Sequence, residues 1–327
     1  MAKRTLEITD FSSPLKRAFT ISRGAKTSAE TILVTIRQDG AVGRGECVPY
    51  PRYGETQPGV RAAIEEMRAQ IEDGLSRDAL QDAMPAGAAR CAVDCALWDL
   101  EAKLTGTPVW KLAGLPEPGP VETAVTVSLD TAEAMGEAAK STPSKLLKLK
   151  LGGPEDLDRI EAVHAARPDA RLIVDGNEGL LVDQFPGIMK RAAELGVVLV
   201  EQPFPAGKDE ALLRRPGAVS VCADESAHTS AEIQDLARRY DAVNVKLDKT
   251  GGLTEAIRMV QAARASGMNV MIGCMVAGSI SMAPAVLLAG LADATDLDGP
   301  LWLAEDVADG LTYTDGMISP PKPELWG

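Results

Sequence analysis

The sequence predicts an α/β fold, a closed barrel of the (β/α)8 type preceded by a smaller α+β unit. After the first third of the chain, short runs of β-branched and apolar residues alternate with amphipathic segments of helical spacing. This alternation is typical of parallel strands joined by helical crossovers. Seven or eight such repeats suit a closed barrel better than an open doubly wound sheet, and no G-x-G-x-x-G motif follows a predicted strand.

The α+β unit is predicted over residues 1–115. The run from Thr31 to Cys47 alternates apolar and polar residues around Asp39-Gly40, which indicates a β-hairpin. A helix follows, and Gly106 indicates its end. Its apolar residues at helical spacing are Ala92, Val93, Ala96, Leu97, Leu100 and Leu104. The segment 114–120, rich in Gly and Pro, is the candidate linker to a barrel over residues 116–305.

Eight apolar runs are the candidate barrel strands, the last of them weaker than the others. In chain order they are ETAVTVS (122–128), LLKLKL (146–151), RLIVDG (171–176), VVLVEQ (197–202), VSVCADE (219–225), AVNVKLD (242–248), NVMIGC (269–274) and LWLAED (301–306). The uncharged stretch 270–292 is long enough to span a bilayer, but Pro284 and several small residues favour a strand, a loop and a buried helix. We therefore expect no membrane partner.

Composition narrows the function. The 327 residues carry 34 Lys and Arg against 47 Asp and Glu, a net charge of −13. Nucleic acids and anionic membranes bind basic surfaces, so neither is expected as a partner. The five cysteines are odd in number and form no C-x-x-C pair, which favours buried thiols in a reducing cytoplasm over disulfides or a metal site. The N-terminus has no apolar segment typical of a signal peptide.

Charged residues stand at the C-terminal ends of the predicted strands at intervals close to one strand–helix unit. They are Lys148, Lys150, Asp175, Glu201, Asp224, Lys246, Asp296 and Asp298. In a (β/α)8 barrel these strand ends meet at one mouth, where catalytic sites are assembled. Each residue alone could be a solvated loop charge, but their regular recurrence favours a common site.

The types of these residues indicate the chemistry. Asp175, Glu201 and Asp224 offer three oxygen ligands from successive strands, and three such charges need a cation to stay ionised together. Mg²⁺ fits this donor set, whereas the absence of accompanying His or Cys disfavours Zn²⁺. Lysines on opposite walls, such as Lys150 and Lys246, could take a proton from one face of a carbon and deliver one to the other. The alternative is that the lysines only balance the carboxylate charges.

At this point the residues resemble a known family, the enolase superfamily, and within it the muconate-lactonizing-enzyme subgroup. The motifs that carry the resemblance are Lys148-Leu-Lys150, Asp175-Gly-Asn177, Glu201-Gln-Pro203, Asp224-Glu225-Ser226 and Lys246-Leu-Asp248-Lys-Thr-Gly-Gly252, together with the helix from Ala92 to Lys103. The resemblance implies a modified TIM-type barrel, (β/α)7β, with an α+β N-terminal capping domain that is joined by a C-terminal tail over about residues 306–327. Gly176 stands where family members often carry Ala, and Glu178 adds a negative charge without an assigned role.

Within the subgroup the chain is most similar to the dipeptide epimerases. That resemblance implies a 1,1-proton transfer at the α-carbon of the C-terminal residue, from L-Ala-D-Glu to L-Ala-L-Glu, as in murein peptide metabolism. It also implies a role for each site residue. One Mg²⁺ per subunit is expected on Asp175, Glu201 and Asp224, and Asn177 and Asp248 are expected to orient the ligands. Lys150 and Lys246 are the expected acid–base pair. The expected contacts of the substrate are Lys148 with its carboxylate, Asp296 and Asp298 with its α-ammonium, Arg23 with the glutamate side chain, and Thr123 and Cys274 as pocket walls.

Other functions are compatible with the same residues. A muconate-type cycloisomerase, an o-succinylbenzoate synthase or an N-acylamino acid racemase would use the same lysines and metal, and only Arg23 and the Asp296–Asp298 pair separate them from a dipeptide epimerase. A non-catalytic binding barrel would leave the ring of charges without a joint purpose. A metal-dependent hydrolase would ordinarily need His ligands at the strand ends. The expected partner is a small dipeptide, and a homo-oligomer is possible.

Overall fold

The computed structural model describes residues 3–214, 217 and 219–327. The N-terminal part begins with three antiparallel strands in the order β1-β2-β3. They are β1 (Thr5–Ile21), β2 (Gly24–Gln38) and β3 (Ala41–Cys47). The predicted hairpin is confirmed, because Gln38 pairs with Ala41 and the two turn residues, Asp39 and Gly40, both have positive φ angles of 51° and 84°. Two successive positive φ angles match the twist that a two-residue hairpin turn requires.

Five helices follow this sheet: α1 (Gln57–Glu66), α2 (Arg68–Glu72), α3 (Arg77–Ala83), α4 (Ala88–Thr105) and α5 (Val109–Leu112). The helix predicted from residue 92 lies within α4, which ends at Gly106 in the left-handed conformation (φ 63°). Helix α4 packs tightly on β3. A Cβ atom added at Gly43 or Gly45 would stand 2.2 Å or 2.1 Å from a carbonyl oxygen of α4, so only glycine permits this approach.

The barrel follows in the chain. Its elements in order are β4 (Val121–Glu122), β5 (Val125–Val127), α6 (Ala132–Lys140), β6 (Leu146–Lys150), α7 (Asp156–Ala166), β7 (Arg171–Asp175), α8 (Phe185–Glu194), β8 (Val197–Glu201), β9 (Ser220–Ala223), α9 (Ile233–Leu236), β10 (Ala242–Val245), α10 (Leu247–Thr250), α11 (Leu253–Ala265), β11 (Asn269–Gly273), α12 (Ser279–Ala289), β12 (Ala294–Asp296) and α13 (Gly299–Trp302). Strands β5 to β12 form one parallel sheet in sequence order. The hydrogen bond from Ala124 N to Thr295 O (2.8 Å) links its first and last strands, which confirms the barrel.

One apolar layer of side chains closes the barrel toward the N-terminal ends of its strands. It takes one residue from each strand region around the ring: Ala124, Leu146, Ile173, Leu199, Cys222, Ala242, Met271 and the partly buried Ala294. The interior is therefore filled with side chains, as is usual for eight-stranded barrels. Any ligand must enter at the C-terminal ends of the strands.

The prediction of the eighth strand was wrong. The run 301–306 does not form a barrel strand, because Leu301 and Trp302 lie in the short helix α13 and Trp302 packs edge-on against Phe19 of β1, with ring centroids 4.7 Å apart. Its apolar character reflects this contact with the N-terminal part. The eighth strand is β12, whose three residues carry little hydrophobic signal and are held by pairing with β11.

The C-terminal segment returns to both parts of the chain. Strands β13 (Tyr313–Thr314) and β14 (Met317–Ile318) form a small antiparallel sheet with β4. Beyond them, the indole Nε1 of Trp326 donates to Arg44 O (2.9 Å), and Gly327 N donates to Asp99 Oδ1 (2.8 Å). These contacts agree with a tail that joins the capping region, while the domain boundary at residue 115 stays a prediction.

No helix in the described ranges is both long and apolar enough to cross a bilayer. The uncharged stretch 270–292 divides into β11, a loop and α12, as predicted, and α12 keeps Pro284 inside it.

Candidate active site

The barrel brings the predicted charged residues to one end of the sheet. Asp175, Glu201 and Asp296 are the last residues of β7, β8 and β12, while Asp224 and Lys246 directly follow β9 and β10. Lys148 and Lys150 share one face of β6, since residues two apart in a strand point the same way. All seven side chains are buried. Their clustering at the C-terminal strand ends matches the place where barrels of this type carry their chemistry.

A cavity of about 870 Å³ opens at this end. The barrel contributes Thr126, Lys148, Lys150, Asn177, Asp224, Glu225, Lys246, Cys274, Asp296 and Asp298 to its lining. The N-terminal part contributes residues from the segments 23–30 and 48–57. Asp175 and Glu201 are fully buried and are not among the lining residues. The cavity is therefore shared between the barrel and two N-terminal segments that reach over its mouth.

The ammonium group of Lys148 lies among three carboxylates. Its Nζ is 3.1 Å from Asp175 Oδ2, 2.7 Å from Glu201 Oε2 and 2.7 Å from Asp296 Oδ2. Lys150 Nζ approaches the same Asp175 oxygen at 2.6 Å. Burial disfavours an ammonium ion, but these carboxylates outweigh the burial and raise the pKa of Lys148 well above its usual range.

Asp224 is held between two lysines. Lys246 Nζ lies 2.7 Å from its Oδ2, and Lys249 Nζ lies 2.6 Å from its Oδ1. Despite burial, these two lysines keep the pKa of Asp224 well below its usual range, and the carboxylate of Asp224 in turn raises the pKa of Lys246. Lys249 was not among the predicted site residues. It lies in α10 three residues after Lys246, and its position inside the motif shared with the family was the available signal.

The carboxylates of Asp175 and Glu201 have opposite pKa shifts. Burial and the neighbouring charge of Asp175 raise the pKa of Glu201 to about 7. Burial also disfavours ionised Asp175, but Lys150 and Lys148 outweigh it and lower its pKa to about 2. The amide of Asn244, another residue that sequence reasoning missed, donates from Nδ2 to Glu201 Oε1 (2.8 Å). Two buried acids this close cannot both ionise easily without more positive charge nearby.

The carboxylate oxygens of Asp175, Glu201 and Asp224 are ligands of the type that a divalent cation such as Mg²⁺ prefers. Three buried carboxylates lie at the C-terminal ends of successive strands, and Glu201 Oε2 contacts the ammonium of Lys148 (2.7 Å). As the side chains stand, lysine ammonium groups lie between these acids, and no group of three His, Cys, Asp or Glu within the described ranges is arranged as a metal cluster. The assignment of Asp175, Glu201 and Asp224 as ligands therefore stays a proposal, which rests on oxygen donors and on the raised pKa of Glu201.

A second acidic pair, Asp296 and Asp298, lines the cavity. Asp298 Oδ2 accepts from Thr126 N (2.7 Å) and from the indole of Trp302 (3.1 Å), and burial beside Asp296 raises the pKa of Asp298 to about 6. The buried Oδ1 of Asp296 has no hydrogen-bond partner among the described residues. Half-buried Cys274 lines the cavity as predicted. This pair could receive a cationic group of a ligand.

Thr123 does not line the cavity, contrary to the prediction. It precedes β5, and its hydroxyl accepts from Leu297 N (2.8 Å). The lining residue of this strand is Thr126, three positions further along. The difference arises because β5 starts only at Val125, so that Thr123 lies toward the closed end of the barrel rather than at its mouth.

Arg23 reaches the rim of the cavity but is already engaged. Its NH1 donates to Asn177 O (2.8 Å) and to Glu178 Oε2 (3.2 Å), and its NH2 lies 2.8 Å from Glu225 Oε1 and 3.3 Å from Tyr50 Oη. Burial raises the pKa of Glu225, with Asp224 adding to the shift. The prediction left Glu178 without a role and assigned none to Glu225, because the sequence does not reveal which loops meet.

Lys26 is the other cation of this hairpin that lines the cavity. Its Nζ lies 4.6 Å from the ring centroid of Tyr50, and no carboxylate of the described residues is within ion-pair distance of it. Its three N–H donors are therefore available to a ligand, in contrast to those of Arg23.

The two residues predicted to orient the ligands make different contacts. The backbone N of Asn177 donates to Asp175 Oδ1 (2.9 Å), and the role predicted for the Asn177 side chain stays a prediction. Asp248 Oδ1 instead accepts from Val48 N (2.8 Å), at the start of an N-terminal segment that lines the cavity. The described contact of Asp248 thus connects the barrel to the N-terminal part.

Comparisons with known proteins agree with this architecture. Residues 3–114 match the model of the mandelate racemase / muconate lactonizing enzyme N-terminal domain, and residues 130–324 match the enolase C-terminal domain-like model. The chain is 43% identical over 318 residues to an L-Ala-D/L-Glu epimerase of Escherichia coli, covering 96% of this chain and 99% of that one. It is 40% identical over 302 residues to an N-acetyl-D-glutamate racemase of Pseudoalteromonas, covering 90% and 95%.

Solved structures give the same result. An enolase family member from Agrobacterium tumefaciens, with homology to dipeptide epimerases and with bound sodium and L-Ala-L-Glu, is 48% identical, has a TM-score of 0.97 and covers 99% of this chain and 100% of that one. A dipeptide epimerase from Enterococcus faecalis complexed with Mg and L-Leu-L-Tyr is 27% identical, has a TM-score of 0.91 and covers 98% and 97%. Both matched models, both curated relatives and the barrel with its ring of charges lead to one conclusion: the chain belongs to the enolase superfamily, in the mandelate racemase and muconate lactonizing enzyme group, and is an isomerase of the epimerase and racemase type.

Proposed function

We propose that the chain is a Mg²⁺-dependent dipeptide epimerase that interconverts L-Ala-D-Glu and L-Ala-L-Glu by inverting the α-carbon of the C-terminal residue. The observation that carries this proposal is the arrangement of Lys150 and Lys246. Their strands, β6 and β10, are four positions apart in the eight-stranded sheet, which corresponds to opposite walls of the barrel. Inversion at a carbon needs one proton removed from one face and another delivered to the opposite face.

The residues that would hold Mg²⁺ are Asp175, Glu201 and Asp224. Bound there, the ion would act as a Lewis acid and stabilise the negative charge that develops on the substrate carboxylate as the α-proton leaves. A divalent cation would compete with the ammonium of Lys148 for Asp175 and Glu201, whose oxygens Lys148 now contacts. The Enterococcus relative with bound Mg supports this choice of ion.

The lysines would divide the proton transfer. In one direction Lys150, as the neutral amine, removes the α-proton, and the ammonium of Lys246 donates a proton to the other face. In the reverse direction the two side chains exchange roles, so that each turnover leaves one of them protonated and the other neutral. Lys148, on the same face of β6 as Lys150, is suited to hold the substrate carboxylate by its positive charge.

The two ends of the cavity suit the two ends of the dipeptide. Asp296 and Asp298 would bind the N-terminal ammonium, a role supported by the unpartnered Oδ1 of Asp296. Lys26 would bind the side-chain carboxylate of the glutamate, because its donors are free of carboxylates while those of Arg23 are engaged. This assignment moves the direct contact from Arg23, as first predicted, to a neighbour three residues away.

A second candidate is the racemization of an N-acylated amino acid, favoured by the 40% identity to an N-acetyl-D-glutamate racemase. Such a substrate offers the same α-carbon and the same side-chain carboxylate, but it has no ammonium group. The buried acids Asp296 and Asp298 would then face a neutral acyl group, which forms no ion pair with them.

The test is exchange of the α-proton in D₂O, followed by NMR, with L-Ala-D-Glu, L-Ala-L-Glu and N-acetyl-D-glutamate as substrates. Each is measured with Mg²⁺ and after removal of the metal by a chelator. We expect Mg²⁺-dependent exchange and epimerization of both alanylglutamates, at a higher kcat/KM than that of N-acetyl-D-glutamate. Preference for the N-acetylated substrate would support the second candidate, and exchange with none of the three would refute both.

A further inference from the structure

Glu178 links four segments of the chain at one carboxylate. Arg52 approaches it in a bidentate contact, with Nε 2.7 Å from Oε2 and NH2 2.7 Å from Oε1. Arg23 NH1 lies 3.2 Å from Oε2, and Ala206 N donates to Oε1 (2.8 Å). Although it follows a strand at the mouth, Glu178 is not among the residues that line the cavity. Its side chain is only 8% exposed, so these protein contacts, rather than solvent, satisfy the carboxylate oxygens.

The backbone around Glu178 adopts an unusual conformation to make these contacts. Asn177 and Glu178 both have positive φ angles, 41° and 69°, which residues with side chains rarely adopt. Such conformations persist where surrounding contacts hold them, and they concentrate at functional sites. Here Glu178 N donates to Gln202 O (2.9 Å), and Asn177 O accepts from Ser22 Oγ (2.8 Å).

The tip of the β1–β2 hairpin docks closely against this loop. A Cβ atom added at Gly179 would stand 2.9 Å from Ser22 Cβ, and one added at Gly152 would stand 2.6 Å from the same atom. The neighbouring loops therefore leave room for the hairpin tip only through these glycines. Arg23, at the tip, and Arg52, in the second N-terminal segment that lines the cavity, are both tied to Glu178.

We propose that Glu178 is a positioning residue that fastens the hairpin tip at Ser22 and Arg23 and the turn that contains Arg52 over the mouth of the barrel, so that substrate binding depends on its ion pairs. Glu178 touches neither the cavity nor the lysines. It acts through the two arginines, which hold the segments that form the outer wall of the cavity. A different role is conceivable on the same contacts: Glu178 could merely compete with an acidic substrate for Arg23. The two roles predict opposite changes in substrate binding.

The first test is the steady-state kinetics of Glu178→Gln, which keeps the shape of the side chain and removes its charge. For L-Ala-D-Glu we expect KM to rise about tenfold, with kcat changed by less than about threefold, because a loosened outer wall weakens binding without removing a catalytic group. Arg52→Gln should also raise KM, and the double variant should add little to Glu178→Gln, because the ion pair between Arg52 and Glu178 is already lost in that single variant. A lower KM in Glu178→Gln would overturn the proposal in favour of competition for Arg23.

The second test does not depend on the proposed activity. Trypsin cleaves after Arg23 and Arg52, the two residues that form ion pairs with Glu178. The rate of cleavage at these two sites, followed by mass spectrometry, therefore measures how firmly Glu178 holds the two segments. We expect faster cleavage at both sites in Glu178→Gln than in the unmodified protein. The matched control is Glu65→Gln, which removes a similar bidentate pair with Arg68 (2.7 Å and 3.0 Å), made outside the residues that line the cavity.

Of the two tests, only the kinetic one rests on the proposed function, so the two proposals can fail separately. If no dipeptide is epimerized by the unmodified protein, the proposed function fails, and the cleavage rates alone decide the role of Glu178. The fastening role would be overturned if Glu178→Gln left cleavage after both Arg23 and Arg52 unchanged and Arg52→Gln left cleavage after Arg23 unchanged. Equal acceleration by Glu65→Gln would also overturn it.

Discussion

Lys150 and Lys246 stand on strands separated by three others in an eight-stranded barrel, and each ammonium already contacts a carboxylate at the mouth. Lys150 Nζ is 2.6 Å from Asp175 Oδ2, and Lys246 Nζ is 2.7 Å from Asp224 Oδ2. The two lysines therefore approach the space between them from opposite walls, each held by its own acid. The proposed pair of bases requires this placement on opposite walls, whereas lysines that only balance charge do not.

Replacing either lysine should separate proton exchange from inversion. We expect Lys150→Ala and Lys246→Ala each to lower epimerization by about 10²- to 10⁴-fold, which is the typical contribution of a positioned acid or base. Each variant should keep exchange of the α-proton of only one of the two alanylglutamates, and the retained one should differ between the variants. The measurement is deuterium incorporation in D₂O, followed by NMR for both diastereomers.

An exposed lysine, Lys190 on α8, provides the control, and Lys190→Ala should leave both rates unchanged. Normal turnover in either active-site variant would show that the lysine balances charge and moves no proton. Loss of exchange for the same diastereomer in both variants would mean that the two lysines act on one face.

The Asp296–Asp298 pair should determine whether the ligand needs an ammonium group. We expect Asp298→Asn to raise the KM for L-Ala-D-Glu by about tenfold or more, because one charge-assisted contact to the ammonium is removed. The KM for N-acetyl-D-glutamate should fall or stay the same. Binding of Mg²⁺, measured by calorimetry, should change far less than dipeptide binding, and an equal loss of both would give Asp298 a structural role through Thr126 and Trp302.

Lys26 should determine the preference for an acidic C-terminal residue. In Lys26→Met we expect the KM for L-Ala-D-Glu to rise about tenfold, while that for L-Ala-L-Met should stay within about twofold, because only the first substrate loses an ion pair. Lys16→Met, a change of an exposed lysine on the same strand pair outside the cavity, should affect neither substrate. If both substrates lose affinity equally in Lys26→Met, the residue shapes the hairpin rather than reading the side chain.

The residues whose place at the barrel mouth the sequence predicted correctly lie at the ends of strands that recur at regular intervals. Asp175, Glu201 and Lys246 were predictable because each ends an apolar run at a regular interval, and the barrel brings such ends together. The eighth strand was missed because Ala294–Asp296 is held by pairing with β11, and tertiary pairing leaves no apolar run in the sequence.

The contacts between loops could not be predicted. Glu178, Arg23 and Arg52 are separated by up to 155 residues, and nothing in their local sequence reveals that they meet. Lys249 is different, because it sits one short turn beyond Lys246 and a helical reading of that motif would have brought it near Asp224. Thr123 was misplaced by the uncertain start of a single strand, which shifts a side chain from the mouth of the barrel toward its closed end.

Asp248 should make the stability of the protein depend on pH. Burial, reinforced by the charges of Glu55 and Glu46, raises its pKa to about 7 from an ordinary value of 3.8. Between these values the folded chain keeps a proton that the unfolded chain has released, so this group lowers the free energy of unfolding as the pH rises from about 4 to 7. Asparagine carries no charge at any of these pH values and can still accept from Val48 N.

Relative to the unmodified protein, Asp248→Asn should therefore become progressively more stable as the pH rises from 5 to 7, by at most about 1.4 kcal/mol per pH unit. Urea unfolding followed by circular dichroism at pH 5, 6, 7 and 8 measures this difference. Asp82→Asn, a change of an exposed aspartate, controls for the loss of one negative charge and should give a difference that does not vary with pH. A stability difference for Asp248→Asn that stays constant over this range would mean that Asp248 is already ionised in the folded protein, held by charges such as that of Lys246 in spite of its burial.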